Sequence, residues 1–285
     1  MKIVPLSSHS GAEITDVDLT RSLSDRELDQ LMVAWRDYHL LVLPEQCGLT
    51  EQQQLAFCRY FGPIMPNTSN TEVTVVSNVE SGFTHEGRLS WHMDLAFTPA
   101  PIEAICLFGL VVPAQPASTF FASNINALKN LGRALRERVE TLSVRNSFDM
   151  SPSQHVVRYR EPALGDQWPH VELPLIQKHP ITGELGLMCC EMFSDPLVGL
   201  EKADSDSVLA QLYDVLYASD NVLEIPWQEG QLIIWDNLAL QHGRPQTPAV
   251  DGERTLRRVT VSERNGYDYF PDLVKSNMPQ FRAKT

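Results

Sequence analysis

A chain of 285 residues, 43% hydrophobic and 21% charged, is long enough to bury a large core, and no biased tract marks it as disordered or fibrous. Its formal net charge of -13 argues against nucleic acid and anionic membrane surfaces as partners, since both are met by clustered Lys and Arg. The five cysteines show neither CxxC nor zinc-finger spacing, which predicts reduced thiols. With no long apolar stretch in MKIVPLSSHSGAEI and no run of about 18 apolar residues, the expected location is the cytoplasm.

In chain order, residues 24–36 (SDRELDQLMVAWR) open on a capping Ser and carry Leu28, Leu31, Met32 and Trp35 at helical spacing. HLLVLP at 39–44 is a short apolar run closed by proline and predicts a buried strand. Residues 50–61 (TEQQQLAFCRYF) predict a second helix, capped by Thr50 and stopped by Gly62-Pro63. From about 72 to 121 the texture turns to β-branched and apolar runs: VTVVSNV, WHMDLAF, EAICLFGLVV and STFFAS. A helical pattern over 124–143 follows, then LPLIQKHP, GELGLMCCEMF, a helix over 205–218, GQLIIWDNLALQH and TLRRVTVSE. Many short strands with a few helices predict a mainly β fold with flanking helices, a double-stranded β-helix (jelly roll) or related sandwich. With no repeat and no linker, residues 1–285 are expected to form one domain.

Within WHMDLAF, His92 and Asp94 stand two apart, a spacing that on a strand puts both side chains on one face. Two neutral imidazoles and a carboxylate form the facial triad of non-haem iron(II), with positions left open for a chelating co-substrate and dioxygen. His242, after a strand and a turn, is the candidate third ligand. An HxD pair alone is a weak signal in a chain with eight His, and a lone His at a strand end is usually a satisfied polar residue.

Several segments together resemble the taurine dioxygenase / 2,4-dichlorophenoxyacetate dioxygenase family of 2-oxoglutarate-dependent oxygenases. They are YHLLVLPEQCGLTEQQQLAFCRYFGPI (38–64), WHMDLAF (91–97), Thr119 ahead of a helix, HPITGELGL (179–187), WDNLALQH (235–242) and RTLRR (254–258). The resemblance implies that His92, Asp94 and His242 ligate Fe(II) and that Thr119 and Arg254 bind the distal carboxylate of 2-oxoglutarate. It also implies that Arg258 lies near the inner carboxylate and meets an anionic substrate. Arginine forks onto a carboxylate with two hydrogen bonds, and residues 254 and 258 of one strand share a face, with Arg257 on the other in a structural role. Without the upstream motifs, the arginine cluster reads first as a solvated basic patch or as ion pairs to the acidic surface.

The sequence departs from the family pattern at PAQPAST, where a Gly-rich turn commonly precedes the threonine, and at Leu238, where an arginine often follows WDN. The presence of Asp94 argues against the related halogenases, which have a small residue there. Substrate contacts are expected from Arg88, Phe193, Asn67 and Thr68; their bland alternatives are a surface charge, a core residue and turn formers. The implied reaction consumes O2 and 2-oxoglutarate, releases succinate and CO2, and hydroxylates an unactivated C–H of a small anionic substrate. A homo-oligomer is the family expectation. Rival readings use the same iron for desaturation, cyclisation or oxidative cleavage in a natural-product pathway, or the same ligands in a non-enzymatic jelly-roll binding module or zinc hydrolase.

Overall fold

Helix α1 (Asp25–Tyr38) begins where the Ser24 hydroxyl accepts the Glu27 N–H and the Glu27 carboxylate accepts the Ser24 N–H. Thr50 and Gln53 make the same exchange at the start of α2 (Glu51–Cys58). Each reciprocal cap satisfies donors that a helix start otherwise leaves open, so both predicted helices stand. The computed structural model describes residues 1–67, 70–79, 88–114, 118–148, 169–244 and 252–269.

The strands are β1 (Lys2–Pro5), β2 (Ala12–Thr15), β3 (Leu40–Leu43), β4 (Val73–Ser77), β5 (Leu89–His92), β6 (Ala104–Val111), β7 (Ser118–Ser123) and β8 (Ser143–Ser147). They continue as β9 (His170–Pro174), β10 (Ile176–Lys178), β11 (Leu185–Leu187), β12 (Ser194–Leu197), β13 (Val222–Pro226), β14 (Leu232–Asp236), β15 (Leu240–Arg244) and β16 (Thr255–Val261). A large sheet runs β1-β2-β3-β14-β6-β16-β4, and a smaller one runs β13-β7-β15-β5. Every pairing in them is antiparallel except β2 with β3. The fold is therefore mainly β with flanking helices, as expected.

The two-residue period of a strand sorts the large sheet into two apolar faces. Leu40, Val42, Ile105, Leu107, Ile233, Trp235 and Leu256 join Phe121, Ile225 and Leu240 of the smaller sheet in one buried cluster. Their neighbours Leu41, Leu43, Cys106, Phe108, Leu232, Ile234, Val259 and Val261 pack on the other face against Leu31, Ala34 and Trp35 of α1 and Leu55 and Phe57 of α2. Covering both faces is why HLLVLP and GQLIIW read as unbroken apolar runs rather than alternating ones.

The helical pattern over 124–143 resolves into α3 (Asn124–Asn130) and α4 (Arg133–Val139), with β8 already begun at Ser143. Leu131 adopts an extended backbone and Gly132 caps the second helix, so buried Leu131 marks a break rather than a continuation. Together with α5 (Lys202–Leu216), these helices bury a third cluster around Leu128, Val139, Leu187, Leu197, Val208 and Leu212. All five cysteines are free, and no helix among the described residues is long and apolar enough to cross a membrane.

Candidate metal centre

Strands β5 and β15 pair antiparallel with His92 directly opposite His242, and the two imidazole rings lie 4.1 Å apart between centroids. The close approach uses Gly243: a Cβ there would stand 3.1 Å from the Leu89 carbonyl oxygen and 3.2 Å from the Trp91 ring. Strand β5 ends at His92, so Asp94 does not share a strand face with it as the spacing predicted. Asp94 sits instead in the turn that follows, where Leu95 takes a positive φ of 56°. The turn brings Asp94 Oδ1 to 3.1 Å from His92 Nε2 and 3.8 Å from His242 Nε2. One ligand atom from each of the three residues lies within 4.8 Å of the others.

His92 Nδ1 stands 2.8 Å from the Ser90 carbonyl. A carbonyl only accepts, so Nδ1 carries a proton and Nε2 is the ring nitrogen that faces Asp94 and His242. Arg258, on the same face of β16 as Leu256, reaches Asp94 Oδ2 with Nη2 at 2.5 Å. Burial pushes the Asp94 carboxyl up, but the Arg258 guanidinium and the two histidines outweigh it and hold the group well below the usual carboxylate range. His242 is lowered to about 3 by burial and then by His92 and Arg258, against the opposing pull of Asp94.

These shifts have one sign in stability. A histidine whose value falls from 6.5 unfolded to about 3 folded leaves the unfolded chain binding more protons in between, so stability is present above the first value and declines towards the second. Asp94 adds its own loss below 3.8. We expect the Tm of the metal-free protein to fall as pH drops below about 6.5, with a flatter profile for His242→Gln. Equal slopes in variant and wild type would assign the titration elsewhere.

Next to β16, Arg254 is 7% exposed and its Nε has no hydrogen-bond partner among the described residues. Its guanidinium lies 5.7 Å from the Trp227 ring centroid. Burial, with Arg244 nearby, lowers its value to about 10. Trp227 Nε1 donates to Thr119 Oγ1 at 2.9 Å, whereas Ser118 Oγ is turned to Glu224. The threonine is thus tied to the arginine's neighbourhood through an indole that sequence reasoning missed; its only trace was a lone Trp after the VLEIP run. Arg254 and Arg258 are four residues apart, the even spacing expected to put them on one face. Arg254 immediately precedes β16, which keeps an unbroken register with β4 from Thr255 to Val259, while β6 takes up one extra residue, Leu110, opposite Thr255 and Leu256. Arg257 does lie on the opposite face, donating to Gln54 Oε1 and the Leu49 carbonyl.

Phe193 meets His92 edge to face at 6.1 Å and forms an apolar wall with Phe97 and Phe148, ring centroids 5.0–6.0 Å apart. Tyr267 packs against the same core, its hydroxyl pushed up to about 12 by burial, with Arg258 opposing and Asp94 adding. Arg88 pairs with Glu191 at the surface. Asn67 spends its amide on Thr71 N–H and the Thr74 hydroxyl within a turn. Thr68 lies outside the described residues.

The residues present fit iron and 2-oxoglutarate. The donors are two imidazole nitrogens and one carboxylate oxygen, the set that non-haem iron(II) oxygenases use, and the Arg254 Nε, without a hydrogen-bond partner among the described residues, suits an anion. Comparison with known proteins agrees. Residues 2–260 match the taurine catabolism dioxygenase TauD, TfdA family. The chain is 34% identical to an (S)-phenoxypropionate/alpha-ketoglutarate-dioxygenase of Sphingobium herbicidovorans, covering 84% of this chain and 88% of that protein. It is 27% identical to an alpha-ketoglutarate-dependent sulfate ester dioxygenase of Pseudomonas putida, over 92% of this chain and 89% of the relative. A taurine dioxygenase structure from Burkholderia xenovorans superimposes with a TM-score of 0.77 at 28% identity, covering 92% and 90% of the two chains. The chain therefore belongs to the TauD/TfdA family and is a 2-oxoglutarate-dependent non-haem iron dioxygenase.

Proposed function

We propose that this enzyme hydroxylates an unactivated C–H bond of a small anionic substrate, releasing succinate and carbon dioxide, on a jelly-roll scaffold. His92, Asp94 and His242 hold Fe(II), Thr119 and Arg254 bind the distal carboxylate of 2-oxoglutarate, and Arg258 serves its inner carboxylate while restraining Asp94. The jelly-roll reading rests on two largely antiparallel sheets sharing one apolar cluster.

The observation that carries the co-substrate assignment is Arg254. A guanidinium almost wholly withdrawn from water, with one N–H lacking an acceptor among the described residues, carries a desolvation cost that a seated carboxylate offsets. Because the Trp227 N–H occupies a lone pair of Thr119 Oγ1, the threonine's own hydrogen is free to donate to that carboxylate. Iron held by these three residues would supply the activation of dioxygen, coupled to oxidative decarboxylation of 2-oxoglutarate. The chain's part is to hold three donors, keep Asp94 ionised through Arg258, and exclude water with Phe97, Phe148 and Phe193. That aromatic wall beside His92 suits the apolar body of a substrate whose anionic end meets arginine. Relatives named for phenoxypropionate and for sulfate esters support an amphiphilic anion of this kind.

Anaerobic Fe(II) and 2-oxoglutarate should together give a weak visible charge-transfer absorption that Asp94→Ala loses. A panel of aryloxy and alkyl carboxylates, sulfates and sulfonates is then scored by substrate-dependent succinate, with a product heavier by one oxygen atom. Absence of the band in the wild type, or its survival in Asp94→Ala, sinks the iron assignment. A product lacking two hydrogens replaces hydroxylation with desaturation.

A further inference from the structure

We infer that Asn237 is a positioning residue for the metal centre: its side-chain amide fixes the turn carrying Asp94 to the segment carrying His242. This rests on the ligand assignment proposed above. Asp94 lies beyond the end of β5, so no strand ladder sets its backbone, although a displacement of about 1 Å at a reacting centre is costly. The Asn237 amide replaces the ladder. Its Oδ1 accepts the Asp94 N–H at 2.9 Å, while Nδ2 donates to the Asp94 carbonyl at 3.1 Å and the Ile102 carbonyl at 2.8 Å. One amide thus grips both polar backbone groups of a single residue, and only one orientation satisfies an N–H and two carbonyls together.

Asn237 is itself fully buried and held on the other side. Its N–H donates to the Glu103 carbonyl at 2.9 Å, and Asp236 Oδ1 accepts the N–H groups of Leu238 and Ala239 at 3.0 and 3.1 Å. These bonds shape the turn from β14 into β15, where His242 lies. The ligand opposite His92 and the ligand after it are thereby indexed to each other through one side chain that touches neither the metal nor the co-substrate. Partners that orient metal ligands typically change metal affinity by about 10–100-fold when removed.

The test titrates Mn(II) alone into the metal-free, full-length protein by calorimetry, alongside thermal unfolding of the same samples. Asn237→Ala removes all three bonds, and Asn237→Asp keeps only the acceptor for the Asp94 N–H. Both should bind Mn(II) about 10–100-fold more weakly. The control is Asn221→Ala, another buried amide, which bonds Ser123, Leu216 and Asn126 away from the triad. It should lower the Tm and leave Mn(II) affinity unchanged. Wild-type affinity in both Asn237 variants, an equal loss in Asn221→Ala, or failure of both Asn237 variants to fold would each overturn the inference, the last by making the amide a requirement of the whole fold. His92→Ala separates the two levels: if it binds Mn(II) as the wild type does, the ligand assignment has failed first.

Discussion

Mn(II) binding is expected to fall by more than about 100-fold when His92, Asp94 or His242 is replaced by alanine, beyond the range that loss of an orienting partner produces. The three variants should differ in the metal-free state. Asp94 and Arg258 form an ion pair with only 16% and 24% of their side chains exposed. Removing one member of a buried pair strands the other, at a cost of about 3–5 kcal/mol in a dry interior and less where solvent still reaches. Asp94→Ala should therefore lower the Tm of the metal-free protein. His92→Ala and His242→Ala relieve a crowded pair of rings 4.1 Å apart and should lower it less. Calorimetry and thermal melting together check the pattern; an alanine variant retaining wild-type Mn(II) affinity removes that residue from the ligand set.

Arg254→Ala should raise the KM for 2-oxoglutarate while leaving Mn(II) affinity near its wild-type value. Truncating one partner of a buried, hydrogen-bonded charge pair costs about 2–5 kcal/mol, a factor of roughly 30 to several thousand in binding. Arg254→Lys should recover part of the loss, because the charge remains but the planar fork that grips two oxygens is gone. Succinate release measured against 2-oxoglutarate concentration gives the comparison. A weakened metal site with unchanged KM would move Arg254 from the co-substrate to the structural frame.

Those two sets of residues were legible to different depths. Helix starts were read well because caps are local: Ser24 with Glu27 and Thr50 with Gln53 are three residues apart in sequence and in contact in space. Strands covered on both faces were legible from apolar runs such as HLLVLP. The clustering of His92, Asp94 and His242 was legible once several motifs were taken together, but the local geometry was not. Asp94 leaves the strand for a turn, and β6 takes up an extra residue, Leu110, beside the start of β16. Residues 93–97 hold no glycine or proline to announce the turn. Trp227, Asn237 and Phe148 were missed for another reason. Each gains its role from residues far along the chain, at Thr119, Asp94 and Phe193, and pattern reading within a window sees no such partner.

The pairing of His92 with His242 across β5 and β15 also bears on how the enzyme is made. Half the chain separates these two residues, and β15 lies between β7 and β5 in the smaller sheet. No local fragment contains the centre, unlike a small zinc module that collapses around its ion. A nascent chain must close its long-range sheet, the slow step for such topologies, before three donors converge. Iron is then expected to load into an already folded chain, so that chelation should remove activity while thermal melting still shows a folded protein.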